Sequence, residues 1–236
     1  FFRGVDGAIA AIRSAVCAFS AIVSLVRRTG GSRAVFECVV VSAPQARISW
    51  YHNGMQISSE DGAEMEHFEW QRKGQIIGMG VVQSKLLIPC ADMRTAGEYT
   101  CRADSPCGNT ISTSARLDVI PAPGVICRQS AAMPPTITTM TSSRIEFGGN
   151  SVQLICRVIG VPSPTISWSL ADNESDNEFL PINDSKRNIQ LANGDLLVTA
   201  PNDIVASQTF RCTAHNEYGD DHLDASVIYL EPEGGR

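Results

Sequence analysis

Short runs of alternating apolar and polar residues recur along most of this chain, separated by clusters of Gly, Pro, Asn and Ser. Alternation with a period of two predicts half-buried β-strands, and the clusters between the runs predict turns. Such strands are predicted at Arg33–Val41, Val81–Ile88, Tyr99–Ala103 and Ser151–Val158, and the Asn53-Gly54 pair predicts a tight hairpin turn. No segment after residue 30 has a helical period, so the sequence predicts an all-β protein.

The two halves of the chain repeat one arrangement of cysteine and tryptophan. Its members are Cys38, Trp50 and Cys101 in the first half, and Cys156, Trp168 and Cys212 in the second. In both halves the tryptophan follows the first cysteine by twelve residues. This spacing is typical of an immunoglobulin sandwich, in which a buried tryptophan lies beside a disulfide between two sheets. The repeat therefore predicts two tandem immunoglobulin-like β-sandwiches of the I-set type.

Composition shifts divide the chain into five parts. They are a loose N-terminal tail (1–16), domain 1 (17–120), a short Pro-rich linker (121–135), domain 2 (136–231) and a C-terminal tail (232–236). Pro121 opens the linker and Pro134-Pro135 close it. Proline lacks a backbone donor, so we expect no strand ladder to continue through either end of the linker.

Charge and cysteine content narrow the class of protein. A formal charge of −6 argues against a duplex nucleic-acid binder, which needs a dense basic face. Eight cysteines without metal-ligand spacing indicate disulfides made in an oxidising compartment rather than a zinc site. We therefore predict a secreted, extracellular protein without a metal or another cofactor.

One uncharged apolar stretch, Ser14–Val26, is the nearest approach to a membrane span. It has thirteen residues, whereas a spanning helix needs about 20. The stretch is either the remnant of a secretory signal or an apolar first strand with its lead-in.

Four disulfides are expected. The framework pairs Cys38–Cys101 and Cys156–Cys212 should each bridge two sheets, and the remaining cysteines are Cys17, Cys90, Cys107 and Cys127. In a sandwich, the start of the first strand lies at the same end as the last hairpin, which favours Cys17–Cys107. Cys90 follows a core strand toward the opposite end, where the linker leaves, which favours Cys90–Cys127. That second bond would hold the linker against domain 1 and limit bending between the domains.

A tyrosine corner is predicted in the first domain and not in the second. Tyr99 stands two residues before Cys101, where its hydroxyl can bond the preceding turn. Phe210 occupies the matching position of domain 2 and has no hydroxyl. Packing must therefore hold that corner.

Several surface features are candidates for function. Acceptor sequons begin at Asn173 and Asn183, and they predict glycans on a secreted chain. Phe68 and Trp70, in the irregular segment Ser58–Gly80, are candidate partner contacts, since aromatic residues are enriched at interfaces. The alternative is that one of them is buried under the sheet edge.

No arrangement of residues predicts catalysis. The four histidines fall in turns or edge segments without a nucleophile motif, and the glycines build no phosphate loop. We therefore predict no catalytic residue, and we place the function in partner binding on the faces and loops of the sandwiches.

The two-domain layout resembles a known family. The segments that carry the resemblance are Leu86–Cys90, Gly97–Cys101, the linker Cys127 and Leu191–Val198. They are similar to the secreted zwei-Ig-domain proteins of nematodes and, mainly in domain 2, to an insect two-immunoglobulin group that binds insulin-like peptides. The nematode resemblance implies a non-enzymatic adhesion protein in nervous-system maintenance, holding axons or cell bodies in position. The insect resemblance implies sequestration of an insulin-like peptide.

Overall fold

A computed structural model describes most of the chain, and every regular element in its described part is a β-strand. The described residues are 26–58, 77–105, 108–124, 126–127, 132–172, 178–182, 187–199 and 206–231. The strands form two sandwiches, so the predicted all-β fold of tandem immunoglobulin-like domains is confirmed.

The first sandwich contains seven of the described strands. They are β1 (Val26–Thr29), β2 (Ala34–Ser42), β3 (Arg47–His52), β4 (Met55–Ser58), β5 (Met79–Ile88), β6 (Gly97–Asp104) and β7 (Thr110–Ile120). One sheet has the order β1-β7-β6-β3-β4, in which β1 runs parallel to β7. Strands β2 and β5 pair antiparallel and face that sheet across the core. The Asn53-Gly54 turn between β3 and β4 has positive φ at both residues (49° and 81°), as a tight hairpin requires.

The second sandwich contains the other nine described strands. They are β8 (Met133–Phe147), β9 (Ser151–Leu154), β10 (Cys156–Val161), β11 (Thr165–Ala171), β12 (Phe179–Pro181), β13 (Asn188–Gln190), β14 (Leu196–Thr199), β15 (Ala206–Asn216) and β16 (Gly219–Leu230). One layer has the order β12-β11-β15-β16-β8, and the other is the sheet β13-β14-β9. Strand β10 pairs with the first half of β8.

Strand β8 joins the two sandwiches into one sheet. One of its edges pairs with β10 and β16, and the other pairs antiparallel with β5 of the first sandwich. Met79 lies opposite Ile145 at one end of this ladder, and Ser84 lies opposite Thr139 at the other. The resulting eight-stranded sheet has the main path β12-β11-β15-β16-β8-β5-β2. We call the β5–β8 ladder the domain junction.

Each sandwich nevertheless keeps its own hydrophobic core. The buried cluster of the first is drawn from residues 34–117, and that of the second is drawn from residues 137–229. Trp50 and Trp168 are 2% and 4% exposed, and each packs in the core that contains its sheet-bridging disulfide. The junction is therefore an addition to two complete cores.

Two expectations about the start of the second sandwich were wrong. Strand β8 begins at Met133 and includes Pro134 and Pro135, which were expected to stop any strand ladder. They are accommodated because Met133 pairs with Val161 and Thr136 pairs with Ile159, so both prolines lie at an irregularity in the register. Prolines are tolerated at a bulge, where a ladder hydrogen bond is already missing.

The strand expected over Ser151–Val158 is divided into β9 and β10 at Ile155. The Ile155 N–H donates to the Thr141 hydroxyl (3.1 Å), and its carbonyl accepts from the Thr141 N–H (3.1 Å). Strand β9 then pairs with β14, whereas β10 pairs with β8. One chain segment thus contributes to two ladders, which its hydrophobic pattern cannot reveal.

The tyrosine corner of the first sandwich is confirmed. The Tyr99 hydroxyl donates to the Thr95 carbonyl at 2.6 Å, and Tyr99 is 1% exposed. Phe210 is fully buried in the second core and has no hydroxyl to donate. Burial, assisted by the Asp92 carboxylate, raises the pKa of Tyr99 to about 12.

We expect Tyr99→Phe to lower the free energy of unfolding of the first sandwich by about 1 kcal/mol, because the hydroxyl bond to Thr95 is lost. Urea unfolding followed by tryptophan fluorescence measures the change. Tyr51→Phe is the matched control, since its hydroxyl lies in an exposed contact 3.4 Å from Gln56 and should contribute almost nothing. Equal effects of the two substitutions would contradict the assignment.

The raised pKa of Tyr99 also predicts a loss of stability in alkali. The unfolded phenol ionises near pH 10, whereas the folded phenol stays neutral until about pH 12. The unfolded state therefore loses its proton first, and stability falls as the pH rises through this window. We expect wild type to lose more stability than Tyr99→Phe between pH 9 and 11. Parallel pH profiles of the two proteins would refute this.

Candidate partner-binding surface

Several residues that the sequence singles out lie outside the described part of the chain. They are the partner contacts Phe68 and Trp70, the sequon residues Asn173 and Asn183, and the cysteines Cys17 and Cys107. Their roles therefore stay predictions.

The structure joins the other six cysteines in three disulfides. Cys38–Cys101 and Cys156–Cys212 have Cα–Cα distances of 6.4 and 6.6 Å, and Cys90–Cys127 has a distance of 5.6 Å. Cys90 lies two residues after the end of β5, and Cys127 Sγ lies 3.8 Å from the Ala91 carbonyl. The Cys90–Cys127 disulfide thus holds the linker against the end of the first sandwich at which β5 finishes.

A chain of buried hydrogen bonds crosses the junction from the core of the first sandwich. The Trp50 indole N–H donates to the Ser84 hydroxyl (3.0 Å), which in turn bonds the Thr139 hydroxyl (3.0 Å). In the second sandwich the Trp168 indole N–H instead donates to the Gly194 carbonyl (2.8 Å). The same tryptophan of the repeat is thus satisfied by the junction in one copy and by a turn in the other.

The motif Leu191–Val198 is explained by a buried carboxylate. Asp195 is fully buried and accepts from the Cys156 N–H (3.1 Å), and it also forms an ion pair with Arg157. The Asn193-Gly194 turn places it there: the Asn193 amide donates to the same carboxylate (3.0 Å), and Gly194 has φ of 91°. This motif is therefore a framework device that ties the turn before β14 to β10.

An apolar surface lies across the domain junction on the outward side of the shared sheet. We call it the junction face and define it by Val39, Val41, Met79, Val81, Ile145 and Ile228. Val41 lies opposite Val81, Met79 opposite Ile145, and Ile145 beside Ile228, so four adjacent strands contribute. Their neighbours Val40 and Val82 point the other way and are fully buried in the first core.

The junction face is only partly shielded from water. Five of its six members are half-buried, and the sixth, Ile228, is exposed (36%). An antiparallel sheet with one solvated face ordinarily alternates apolar inward with polar outward positions. Val39, Val40 and Val41 break that alternation within β2. Apolar outward positions that run across two domains are typical of a docking surface.

The outer face of the opposite sheet in the first sandwich is polar. Thr100 and Ser114 share a hydrogen bond of 2.8 Å across β6 and β7. Arg102 pairs with Asp104 at 2.9 Å, and further exposed serines lie on β7. The contrast between the two sheets points to the junction face, not to this one, as the candidate binding surface.

Charged and aromatic groups border the junction face. Lys85 lies 3.7 Å from Glu37 beside the valines of β2. On the second sandwich, Arg211 makes two hydrogen bonds to Asp224 (2.7 and 3.0 Å) and stacks 3.8 Å above the Phe179 ring. Hydrogen bonding to Asp224 raises the pKa of the Arg211 guanidinium, so this cation persists at all working pH values. The surface therefore combines an apolar centre with an ordered polar border, as protein interfaces do.

The junction face is not evident from the sequence of either domain taken separately. A signal was present in the three consecutive valines that follow Cys38, since an apolar run marks a strand with both faces shielded. Nothing in the sequence showed that Ile145 and Ile228 would extend the same face from the second domain.

The described ranges contain no group of three or more His, Cys, Asp or Glu side chains placed to hold a metal ion. Within the same ranges, no helix is long and apolar enough to cross a membrane.

Comparisons with known proteins place the chain. Residues 17–119 match the immunoglobulin I-set domain, and residues 134–216 match a second immunoglobulin domain model. The Zwei Ig domain protein zig-4 of Caenorhabditis elegans is 30% identical over 193 residues, covering 81% of this chain and 71% of that protein. Zig-3 of the same organism is 29% identical over 190 residues, covering 80% and 71%. The chain belongs to the zwei-Ig-domain family. Its resemblance to that family, drawn from the sequence motifs, is confirmed.

A solved structure, neural ectodermal development factor IMP-L2, is similar to this zwei-Ig-domain protein over both sandwiches. The TM-score is 0.66 at 23% identity, covering 92% of this chain and 96% of that one. This likeness concerns the fold. The family identifies the chain as an extracellular binding protein built from two immunoglobulin domains.

We expect the domain arrangement of this zwei-Ig-domain protein to survive loss of the linker disulfide. Cys90→Ser with Cys127→Ser removes a crosslink over 37 residues, which should lower stability by about 2–4 kcal/mol. The β5–β8 ladder remains, so the interdomain distance measured by small-angle scattering should stay unchanged. A larger radius of gyration in the folded variant would show instead that the disulfide sets the arrangement.

Proposed function

We propose that this chain is a secreted protein that captures an extracellular protein or peptide on the junction face. The supporting observation is the apolar outward face shared by both sandwiches, which contrasts with the polar outer face of the opposite sheet. Burial of this face against a partner is favourable at about 25 cal/mol per Å². The three disulfides among the described cysteines suit an oxidising, extracellular setting.

The biological setting that we propose first is nervous-system maintenance, in which the protein holds axons or cell bodies in position. Membership of the zwei-Ig-domain family supports this setting. In this role the partner is a protein of the neuronal surface or of the surrounding matrix. The chain would act by binding, and no reaction is required of it.

A second candidate is sequestration of an insulin-like peptide. The junction face favours it, because a carrier of a small apolar peptide needs an apolar sheet surface that faces solvent. A sheet surface drawn from two domains also offers more contact area than either domain offers separately.

Two binding measurements with the intact protein separate these candidates. Fluorescently labelled protein applied to dissociated neurons tests adhesion, and gel filtration with a micromolar insulin-like peptide tests the carrier. Cell binding without a peptide shift favours the adhesion role, and a peptide shift favours the carrier. If neither probe binds, the proposed function is wrong.

We expect Val81→Lys to weaken binding of whichever probe binds by at least tenfold, about 1.4 kcal/mol. A lysine at the centre of the junction face places a charge that the partner must desolvate. Ser114→Lys is the matched control, because it puts the same charge on a strand of the opposite, polar sheet. Both variants should keep the wild-type unfolding midpoint within a few degrees. Equal affinity of the two variants would place the binding surface elsewhere.

A further inference from the structure

We propose that Glu146, assisted by Arg144, is a positioning residue for the junction face. It holds the start of β5 against β8, so that the apolar residues contributed by the two domains form one surface. The claim about binding rests on the proposed function, whereas the claim about the junction stands on geometry and can be tested without a ligand.

The Glu146 carboxylate accepts hydrogen bonds from backbone N–H groups of the first sandwich. Glu146 is fully buried on β8, and its two oxygens accept from the N–H groups of Ile77 (2.9 Å) and Gly78 (3.0 Å). The same carboxylate accepts from the Phe147 N–H (2.9 Å) and from the Asn150 side chain (3.1 Å). One side chain thus satisfies backbone donors from both domains in a place that water does not reach.

Arg144 secures the same point of the first sandwich from the other side. It lies two residues before Glu146 on the same face of β8 and is 2% exposed. Its guanidinium donates to the Gly78 carbonyl (3.3 Å) and to the Gln45 side chain (3.2 Å). Gly78 is therefore held at both its N–H and its carbonyl.

The side chains around these groups pack too closely to admit even one added methyl group at Gly80. A Cβ added at Gly80 would lie 2.6 Å from the Gln45 amide oxygen and 3.2 Å from Arg144 Cδ. Gly78 itself has φ of 62°, so the chain turns sharply just before β5 begins. The two residues that Glu146 binds thus lead directly into Met79, the first β5 residue of the junction face.

The junction should open more easily than either sandwich unfolds. Buried side chains along it include the polar residues Ser84, Thr139 and Thr141, together with Ile77 at its edge. The large apolar clusters belong to one sandwich or the other. Opening therefore mainly exchanges hydrogen bonds for bonds to water and exposes little apolar surface beyond Ile77, whereas unfolding exposes an entire apolar core. The junction is therefore among the less stable parts of the structure. We call the contacts of Glu146 with Ile77 and Gly78 the clamp, and we expect it to change the equilibrium between the closed and open junction measurably.

Loss of the clamp should therefore separate the two parts of the junction face. If residues 77–78 leave Glu146, Met79 no longer lies against Ile145, and the apolar surface is divided at the junction. Cys38 lies opposite Ser84 and Cys156 lies opposite Met140, each six residues along a strand from the contact between Gly78 and Glu146. We therefore expect both domains to stay folded.

Hydrogen exchange read by mass spectrometry tests the clamp directly. In Glu146→Ala the backbone donors of Ile77 and Gly78 lose their acceptor. We expect amides of residues 77–84 to exchange at least tenfold faster than in wild type, with those of β6 and β15 unchanged. Glu146→Gln should give a smaller increase, because one amide oxygen can still accept while the amide nitrogen cannot.

Asp195→Asn is the matched control, since it alters another fully buried carboxylate that accepts a backbone N–H. It should speed exchange in β9 and β10 and leave residues 77–84 as in wild type. The proposal is overturned if Glu146→Ala leaves residues 77–84 unchanged, or if it speeds exchange equally throughout both sandwiches.

Affinity for the insulin-like peptide, or for neuronal cells, then tests the link to binding. Glu146→Ala should bind whichever probe wild type binds at least fivefold more weakly, and Asp195→Asn should bind it normally. Unchanged affinity in a variant with an opened junction would refute the positioning role. If wild type binds neither probe, the proposed function fails, and the exchange data still decide the clamp.

Discussion

The structure depends on how the backbone groups of β8 are satisfied along both of its edges. A buried strand needs partners for every N–H and carbonyl, because an unpaired group away from water costs as much as a lost hydrogen bond. Strand β8 meets this need by pairing with β10 and β16 of its own sandwich and with β5 of the other. An exposed strand edge, which would invite uncontrolled pairing, is thereby used to join two domains.

On the buried side of the junction several side chains are polar, whereas on its outward side the side chains of the junction face are apolar. These two sides have different roles. Inside, Ser84, Thr139, Arg144 and Glu146 are buried and hydrogen-bonded, which specifies one register for the ladder. Outside, Val41, Val81, Met79 and Ile145 present an apolar surface, which Ser143 interrupts opposite Val81. A polar interior discriminates among alternative arrangements more sharply than an apolar one, since each misplaced polar group is left unsatisfied.

The two copies of the repeat keep one framework and satisfy its polar groups differently. The indole N–H of Trp50 reaches Ser84 beside the junction, whereas that of Trp168 reaches the Gly194 carbonyl in a turn. Tyr99 closes a corner with its hydroxyl, and Phe210 fills the same position by packing. In the first sandwich, a hydrogen bond of the core tryptophan thus leads to the neighbouring domain through Ser84. In the second sandwich, the buried Asp195 carboxylate after the Asn-Gly turn instead bonds the backbone of the same domain.

The sequence by itself determined the class of fold, the repeat, the tyrosine corner and the Asn53-Gly54 turn. Each of these follows from local alternation, or from residues whose chemistry needs no knowledge of distant strands. Only the tertiary structure decided that β8 crosses between the domains, that Pro134 and Pro135 fit within it at a bulge, and that a junction face exists. The reason is physical: alternation shows that a residue lies on one side of a strand, but the neighbouring strand is chosen by long-range pairing. That choice turned Val81 and Ile145 from scattered surface residues into parts of one surface.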